Sequence, residues 1–202
     1  MAEPYTGPGL IGKLRRQQGH MKDIARVLHE LKRRLDELEV PFAVVGATAM
    51  YQYGYVRATE DLDLLTTKAG LDRIHEKLVG LGYVARGPKL RKSLRETEHH
   101  VNIDVITAGE HAGSSESPLI FPDPSSDAFV EIDGVRYPRL ERLIELKLVS
   151  GVWGNRPHDL GDVFNLIKAN RLDASFAGKL IPEVRGKFQE LFEQTKKEVT
   201  LE

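Results

Sequence analysis

The chain has 202 residues, 41% hydrophobic and 29% charged, with 29 basic against 30 acidic side chains and a formal net charge of −1. That balance excludes a disordered polymer and predicts a globular protein of one full domain, or a domain with a small helical companion. It supplies no global basic field for nucleic acid, and the lack of cysteine excludes disulfides, thiolate metal sites and a cysteine nucleophile.

No run of about 20 apolar residues exists, so no membrane-spanning helix is expected. The first residues, Met1 to Gly9, lack the apolar core of a secretory signal. Both features fit a cytoplasmic protein. Residues 1–19 are rich in Gly, Pro and basic side chains and read as a flexible arm. Met21, Ile24, Leu28, Leu31, Leu35 and Leu38 then recur at helical spacing. The other face of that helix carries Lys22, Arg26, Lys32, Arg33 and Arg34, and reads as a solvated face.

Pro41 ends the pattern, and Phe42 to Val45 form a short buried strand. Gly46 is a turn, Ala47 to Tyr53 a brief helix closed by Gly54, and Asp61 to Leu65 a second strand. Leu71, Ile74, Leu78 and Leu81 predict an amphipathic helix, followed by a strand over Tyr83 to Ala85. Arg86, Lys89, Arg91, Lys92 and Arg95 around Gly87-Pro88 read as an exposed basic loop, a local candidate for contact with RNA or a triphosphate. Val101 to Ile106 is the next strand, and the Gly-, Ser- and Pro-rich stretch after it a long loop with the composition of a mobile one. Phe129–Ile132 and Val135–Tyr137 flank Asp133-Gly134 as a hairpin. Beyond Pro138 the pattern is helical throughout.

The expected architecture is therefore α+β. A small mixed β-sheet flanked by helices occupies residues 20–137, and a helical region over 138–202 packs on it.

The chemistry gathers between Gly46 and Asp104. Asp61 and Asp63 stand two apart on a strand and so share a face. Two carboxylates side by side resist joint ionisation unless a cation compensates, and Mg²⁺ prefers such oxygen ligands. The competing reading is a pair of solvent-facing aspartates that bind nothing. Gly46 after a strand lets backbone approach a ligand closely, and the following helix presents N–H groups toward a phosphate. Thr48 offers a hydroxyl donor there, or else only a cap. Asp104 alternates with the apolar Ile103 and Val105 and points away from the core. A paired strand can set it beside Asp61 and Asp63, and three converging carboxylates can hold two metal ions about 4 Å apart.

These residues together resemble the DNA polymerase beta-like nucleotidyltransferase superfamily. Val45-Gly46-Ala47 and Asp61-Leu62-Asp63, with 13 residues between Ala47 and Asp61, match its glycine turn and Asp-hydrophobic-Asp signature. Arg57-Ala58-Thr59-Glu60-Asp61-Leu62-Asp63 is similar to the form seen in minimal nucleotidyltransferases, including the abortive-infection toxin group. Leu143 to Leu148 and Arg156-Pro157-His158-Asp159-Leu160-Gly161-Asp162 are similar to a helical segment of that group, with His158 where its pattern has a second lysine. Ala47 departs from the family's usual Gly or Ser and removes one hydroxyl from the turn.

The resemblance implies transfer of NMP from an NTP to a hydroxyl of RNA, protein or a small molecule by a two-metal mechanism using Mg²⁺ or Mn²⁺. Asp61, Asp63 and Asp104 would be the catalytic metal ligands. Gly46, Ala47 and Thr48 would meet the phosphates. Lys147 would either reach the triphosphate or pair with Asp159 or Asp162, and Arg57 would either meet a phosphate or brace the Asp-Leu-Asp strand. The alternative is a non-catalytic nucleotide-binding module or toxin–antitoxin partner on the same fold, recognising an antitoxin-like protein. A glycosyltransferase also uses Asp-x-Asp, but would leave Gly46 and Asp104 unexplained. Glu96, Glu98, His99 and His100 are read as solvent-exposed, because adjacent histidines on a strand face opposite ways.

Overall fold

The computed structural model describes residues 10–87 and 90–199. Helix α1 (Leu10–Glu37) leads into β1 (Phe42–Val44), the single-turn α2 (Gly46–Ala49) and a 3-10 turn over Met50–Tyr53. Then come β2 (Asp61–Thr66), α3 (Lys68–Lys77), β3 (Tyr83–Ala85), β4 (Ser93–Glu96) and β5 (Asn102–Thr107). The hairpin β6 (Phe129–Ile132) and β7 (Val135–Pro138) precedes helices α4 (Leu140–Trp153), α5 (Pro157–Ala169) and α6 (Pro182–Val199).

β1 to β5 make a five-stranded mixed sheet in the order β1-β2-β5-β4-β3. β2 and β5 run parallel; the other pairings are antiparallel. Alternation divides the sheet. Leu62, Leu64, Leu94, Ile103 and Val105 turn inward and join one buried cluster with Ile24, Val27, Leu31 and Leu35 of α1 and Leu71 and Ile74 of α3. Asp61, Asp63, Asn102 and Asp104 take the other face. Beside them Ala43, Val45, Leu65 and Phe129 form a second, small apolar cluster where the β6–β7 hairpin meets β1.

Helix α4 is buried nearly all round, from Leu143 through Val149, as a helix enclosed by other elements must be. Its Glu145 is also buried and accepts the Ile181 N–H at 2.7 Å, which satisfies a backbone donor at the entry to α6. Among the described residues no helix is long and apolar enough to cross a membrane.

Three expectations are corrected. Helix α1 begins at Leu10, within the stretch read as an arm; Lys and Arg are good helix formers, so a basic composition does not exclude a helix. The remainder of that arm, residues 1–9, lies outside the described residues. The basic loop contains strand β4, whose Leu94 is its one apolar side chain and whose charged neighbours hide the alternation; Pro88 and Lys89 of that loop also lie outside the described residues. The long loop after β5 is tied back on itself by backbone hydrogen bonds from Gly109 to Phe121, Phe121 to Glu110 and Ala112 to Leu119, and it buries Ala112 and Leu119.

Candidate active site

The parallel register of β2 and β5 sets Asp63 opposite Asp104 and Asp61 opposite Asn102. Directly opposed residues share a face, so the three aspartates predicted from sequence converge. All three line a cavity of about 410 Å³ together with Gly46, Ala47, Arg57, Lys147, Phe121, Arg156, His158 and Asp159. Burial lifts the Asp63 carboxyl from the ordinary 3.8 to about 6, with Asp104 and Asp61 pushing the same way and Lys147 opposing. An all-oxygen set whose central member resists ionisation fits a hard divalent cation.

Neighbours orient the outer two carboxylates. Asn102 Nδ2 donates to Asp61 Oδ1 at 3.0 Å, and Ser93 Oγ donates to Asp104 Oδ1 at 2.9 Å. Thr59 Oγ1 donates to the Asp61 carbonyl at 3.2 Å. Sequence reading did not single out Ser93, because the strand that carries it was hidden among charges.

Gly46 explains the turn. Its φ is +63°, and a Cβ there would stand 1.8 Å from Asp63 Oδ2. Both the left-handed backbone and the close approach require glycine. The Val45 N–H also donates to the Asp63 carbonyl at 3.0 Å, so the turn is fastened to the strand it faces.

Ala47 is buried and lines the cavity. Thr48 does not: it is buried, and its hydroxyl has no hydrogen-bond partner among the described residues. Each helical residue turns the side chain by about 100°, which carries position 48 away from the direction of position 47. The Thr48 side chain is therefore not among those that line the cavity. α2 itself is only four residues long, without a side-chain cap.

Lys147 takes the second of its two expected roles. Its Nζ donates to Asp159 Oδ1 at 2.7 Å and to Asp162 Oδ2 at 2.6 Å, and all three residues are buried. Arg57 clasps the same Asp162, Nε to Oδ1 at 2.8 Å and Nη2 to Oδ2 at 3.2 Å. This network ties α4 and α5 to the loop that leads into Asp61. Burial pushes the Asp159 carboxyl up, but Lys147 outweighs it and holds the group below its ordinary value. Arg156 and His158 stand at the cavity wall, each more than half exposed, with Arg156 Nε 3.4 Å from Asp159 Oδ2.

Glu96, Glu98 and His99 also cluster. Glu96 is buried, against the expectation of exposure, because its carboxylate accepts the N–H groups of Glu98 and His99 at 2.7 Å each. That is a closed turn, with its polar groups satisfied locally.

No family model and no curated protein matches the sequence. Solved structures do. The antibiotic-resistance factor ANT(2″)-Ia in solution aligns with a TM-score of 0.50 at 18% identity over 88% of this chain and 96% of that one. ANT(2″)-Ia crystallised with adenylyl-2″-tobramycin gives 0.49 at 18% identity over 86% and 97%. A candidate nucleotidyltransferase from H. pylori gives 0.47 at 20% identity over 89% and 82%. At such identities similarity speaks of architecture, and in architecture this chain has a nucleotidyltransferase-like fold.

Proposed function

We propose that the chain is a metal-dependent nucleotidyltransferase that moves NMP from an NTP to an acceptor hydroxyl. One observation carries the reading: Asp61, Asp63 and Asp104 stand side by side on two parallel strands, with a glycine turn pressed against the central one. The solution structure of ANT(2″)-Ia supports the fold.

In this reading Asp61, Asp63 and Asp104 hold Mg²⁺ or Mn²⁺, and a pair of such ions supplies charge neutralisation for the attacking and leaving oxygens. The rest falls to the chain. The Gly46-Ala47 turn brings backbone against the phosphates, where no side chain interferes. The acceptor oxygen bonds to the α-phosphorus, the bond from that phosphorus to the bridging β-phosphate oxygen breaks, and pyrophosphate leaves. Asp104 accepts the hydroxyl proton. Arg156 is the exposed cation best placed at the cavity wall to meet the leaving pyrophosphate, since Lys147 is held by Asp159 and Asp162. Incubation of wild type and Asp63→Ala with alpha-labelled NTPs, Mg²⁺ or Mn²⁺ and a cell extract tests this. A labelled species made by wild type alone is expected; equal labelling by both sinks the assignment.

A second reading is a nucleotide sensor or toxin–antitoxin partner without turnover. It rests on Ala47, which lines the cavity without a hydroxyl while that of Thr48 is buried elsewhere. Calorimetry separates the two: metal-dependent NTP binding with no transfer to any acceptor pool favours the sensor.

A further inference from the structure

The part of the cavity wall that carries Arg156 and His158 follows the turn between α4 and α5. Three residues, Gly154, Asn155 and Arg156, join the two helices. The Gly154 N–H still closes onto the Ser150 carbonyl at 2.9 Å, and Pro157 opens α5 with its ring-fixed φ. Between them Asn155 stands at φ +50°. A connection this short has no slack, so a displacement of Gly154 passes to Arg156, two positions on.

The loop after β5 meets this turn backbone to backbone. Gly113 stands in that loop at φ +85°, and a Cβ on it would lie 2.9 Å from the Gly154 nitrogen, 3.1 Å from the Val149 carbonyl oxygen and 3.2 Å from the Gly154 Cα. From the other side, a Cβ on Gly154 would lie 2.9 Å from the Gly113 Cα. No side chain fits between them. The loop is firm where it makes this contact. Ala112 is buried, and its N–H donates to the Leu119 carbonyl at 2.9 Å. Ser117 is buried too; its Oγ donates to that same carbonyl at 3.2 Å, and its own carbonyl accepts from His111 Nδ1 at 3.0 Å. The loop leaves directly from β5, the strand of Asp104, and Phe121 beyond it lines the cavity.

We infer that Gly113 is a positioning residue: its bare backbone, set against Gly154, fixes where Arg156 stands at the cavity wall. The loop is a strut from the strand of Asp104 to the turn of Arg156. Close-packed contacts of this kind transmit displacement because there is no void to absorb it. The ion pair with Asp159, Nε to Oδ2 at 3.4 Å, orients the Arg156 guanidinium, whereas the glycine contact places the backbone it hangs from. This role rests on the nucleotidyltransferase reading, in which Arg156 meets the leaving pyrophosphate.

Gly113→Asn in the full chain tests it. Asparagine tolerates a positive φ, so the added Cβ changes the contact with Gly154 more than the backbone. Gly109→Asn is the control: position 109 lies in the same loop at φ +88°, and a Cβ there meets nothing within 4 Å. Trp153, the one tryptophan, adjoins Gly154 and reports on the turn without any ligand. Acrylamide quenching of its fluorescence should change in Gly113→Asn and keep the wild-type value in Gly109→Asn. By calorimetry with Mg²⁺ and pyrophosphate, Gly113→Asn should bind about five- to ten-fold more weakly than wild type, and in an Arg156→Ala background the same substitution should cost less than about two-fold. A merely structural loss would be equal in both backgrounds. Amide exchange in wild type needs no glycine variant. Coupling is reciprocal, so Mg²⁺ with pyrophosphate should slow exchange across residues 111–117, and Arg156→Ala should abolish that slowing. An unchanged Trp153 signal in Gly113→Asn, equal weakening in both backgrounds, or exchange indifferent to pyrophosphate overturns the positioning role. Labelling by wild type against Asp63→Ala reports on the nucleotidyltransferase reading separately: a wild type that labels yet shows none of this coupling sinks the role of Gly113 alone.

Discussion

Gly46 and Asp63 fit together because position 46 lacks a side chain: any Cβ there would lie 1.8 Å from the Asp63 carboxylate oxygen. The glycine of the turn thus makes room for the Asp63 carboxylate directly. Gly46→Ala must move the turn or displace Asp63, and its backbone must leave φ +63° or bear the strain. We expect at least 100-fold loss of transfer and a loss of about 2–4 kcal/mol of stability, read by chemical denaturation. A variant with wild-type stability and activity would refute the close approach.

Asp63 sets a pH dependence. Its carboxyl is raised to about 6 in the fold, against an ordinary 3.8. The native state therefore binds the proton more tightly than the unfolded chain, and this group's contribution to stability falls as pH rises from about 4 to about 6. At neutral pH without metal the cost is about 3 kcal/mol at most. Asp63→Asn should raise the melting temperature of metal-free protein at pH 7 and change it little near pH 4. Mg²⁺ should stabilise wild type at pH 7 and lose that effect below about pH 6.

The Lys147 network predicts a different signature. Lys147→Met leaves Asp159 and Asp162 buried beside each other, with Arg57 reaching only the latter. A loss of about 3–5 kcal/mol is expected in urea unfolding. Asp159 is held below its ordinary value, so its share of stability is present above about pH 4 and fades as pH falls through the depressed value. The Lys147→Met variant should therefore lose the part of the acid transition that Asp159 contributes.

Ala47 offers a gain. It lines the cavity beside Gly46, and a serine there would restore the hydroxyl that the resemblance leads one to expect. One net hydrogen bond is worth about 0.5–1.5 kcal/mol, so Ala47→Ser should tighten NTP binding about 2- to 10-fold by calorimetry. Thr48→Val, by contrast, should leave NTP binding unchanged, since the Thr48 hydroxyl is buried off the cavity and unpartnered.

Much of this was legible in the chain itself. The Gly46 turn, the Asp61-Leu62-Asp63 spacing and the alternation around Asp104 follow from period-two geometry and the special backbone freedom of glycine. So does the inward face of β2 and β5, because apolar residues must leave water. Strand β4 was not legible, since one buried leucine among charges carries too weak a pattern. The hydrogen bonding within the loop after β5 was not legible either, because Gly, Ser and Pro report local turn propensity and not which segments pair.

Local pattern by itself determined which residues were chemically notable and which strand face each took. Tertiary structure alone decided what they met. Parallel pairing at one register, and no other, brings Asp104 beside Asp63, from 41 positions away. Packing of α4 against α5 decided that Lys147 spends its charge on Asp159 and Asp162, and helical rotation decided that Ala47 and not Thr48 faces the cavity. Side-chain period is a property of neighbouring residues, whereas register and ion pairing depend on segments that meet only when the chain is folded.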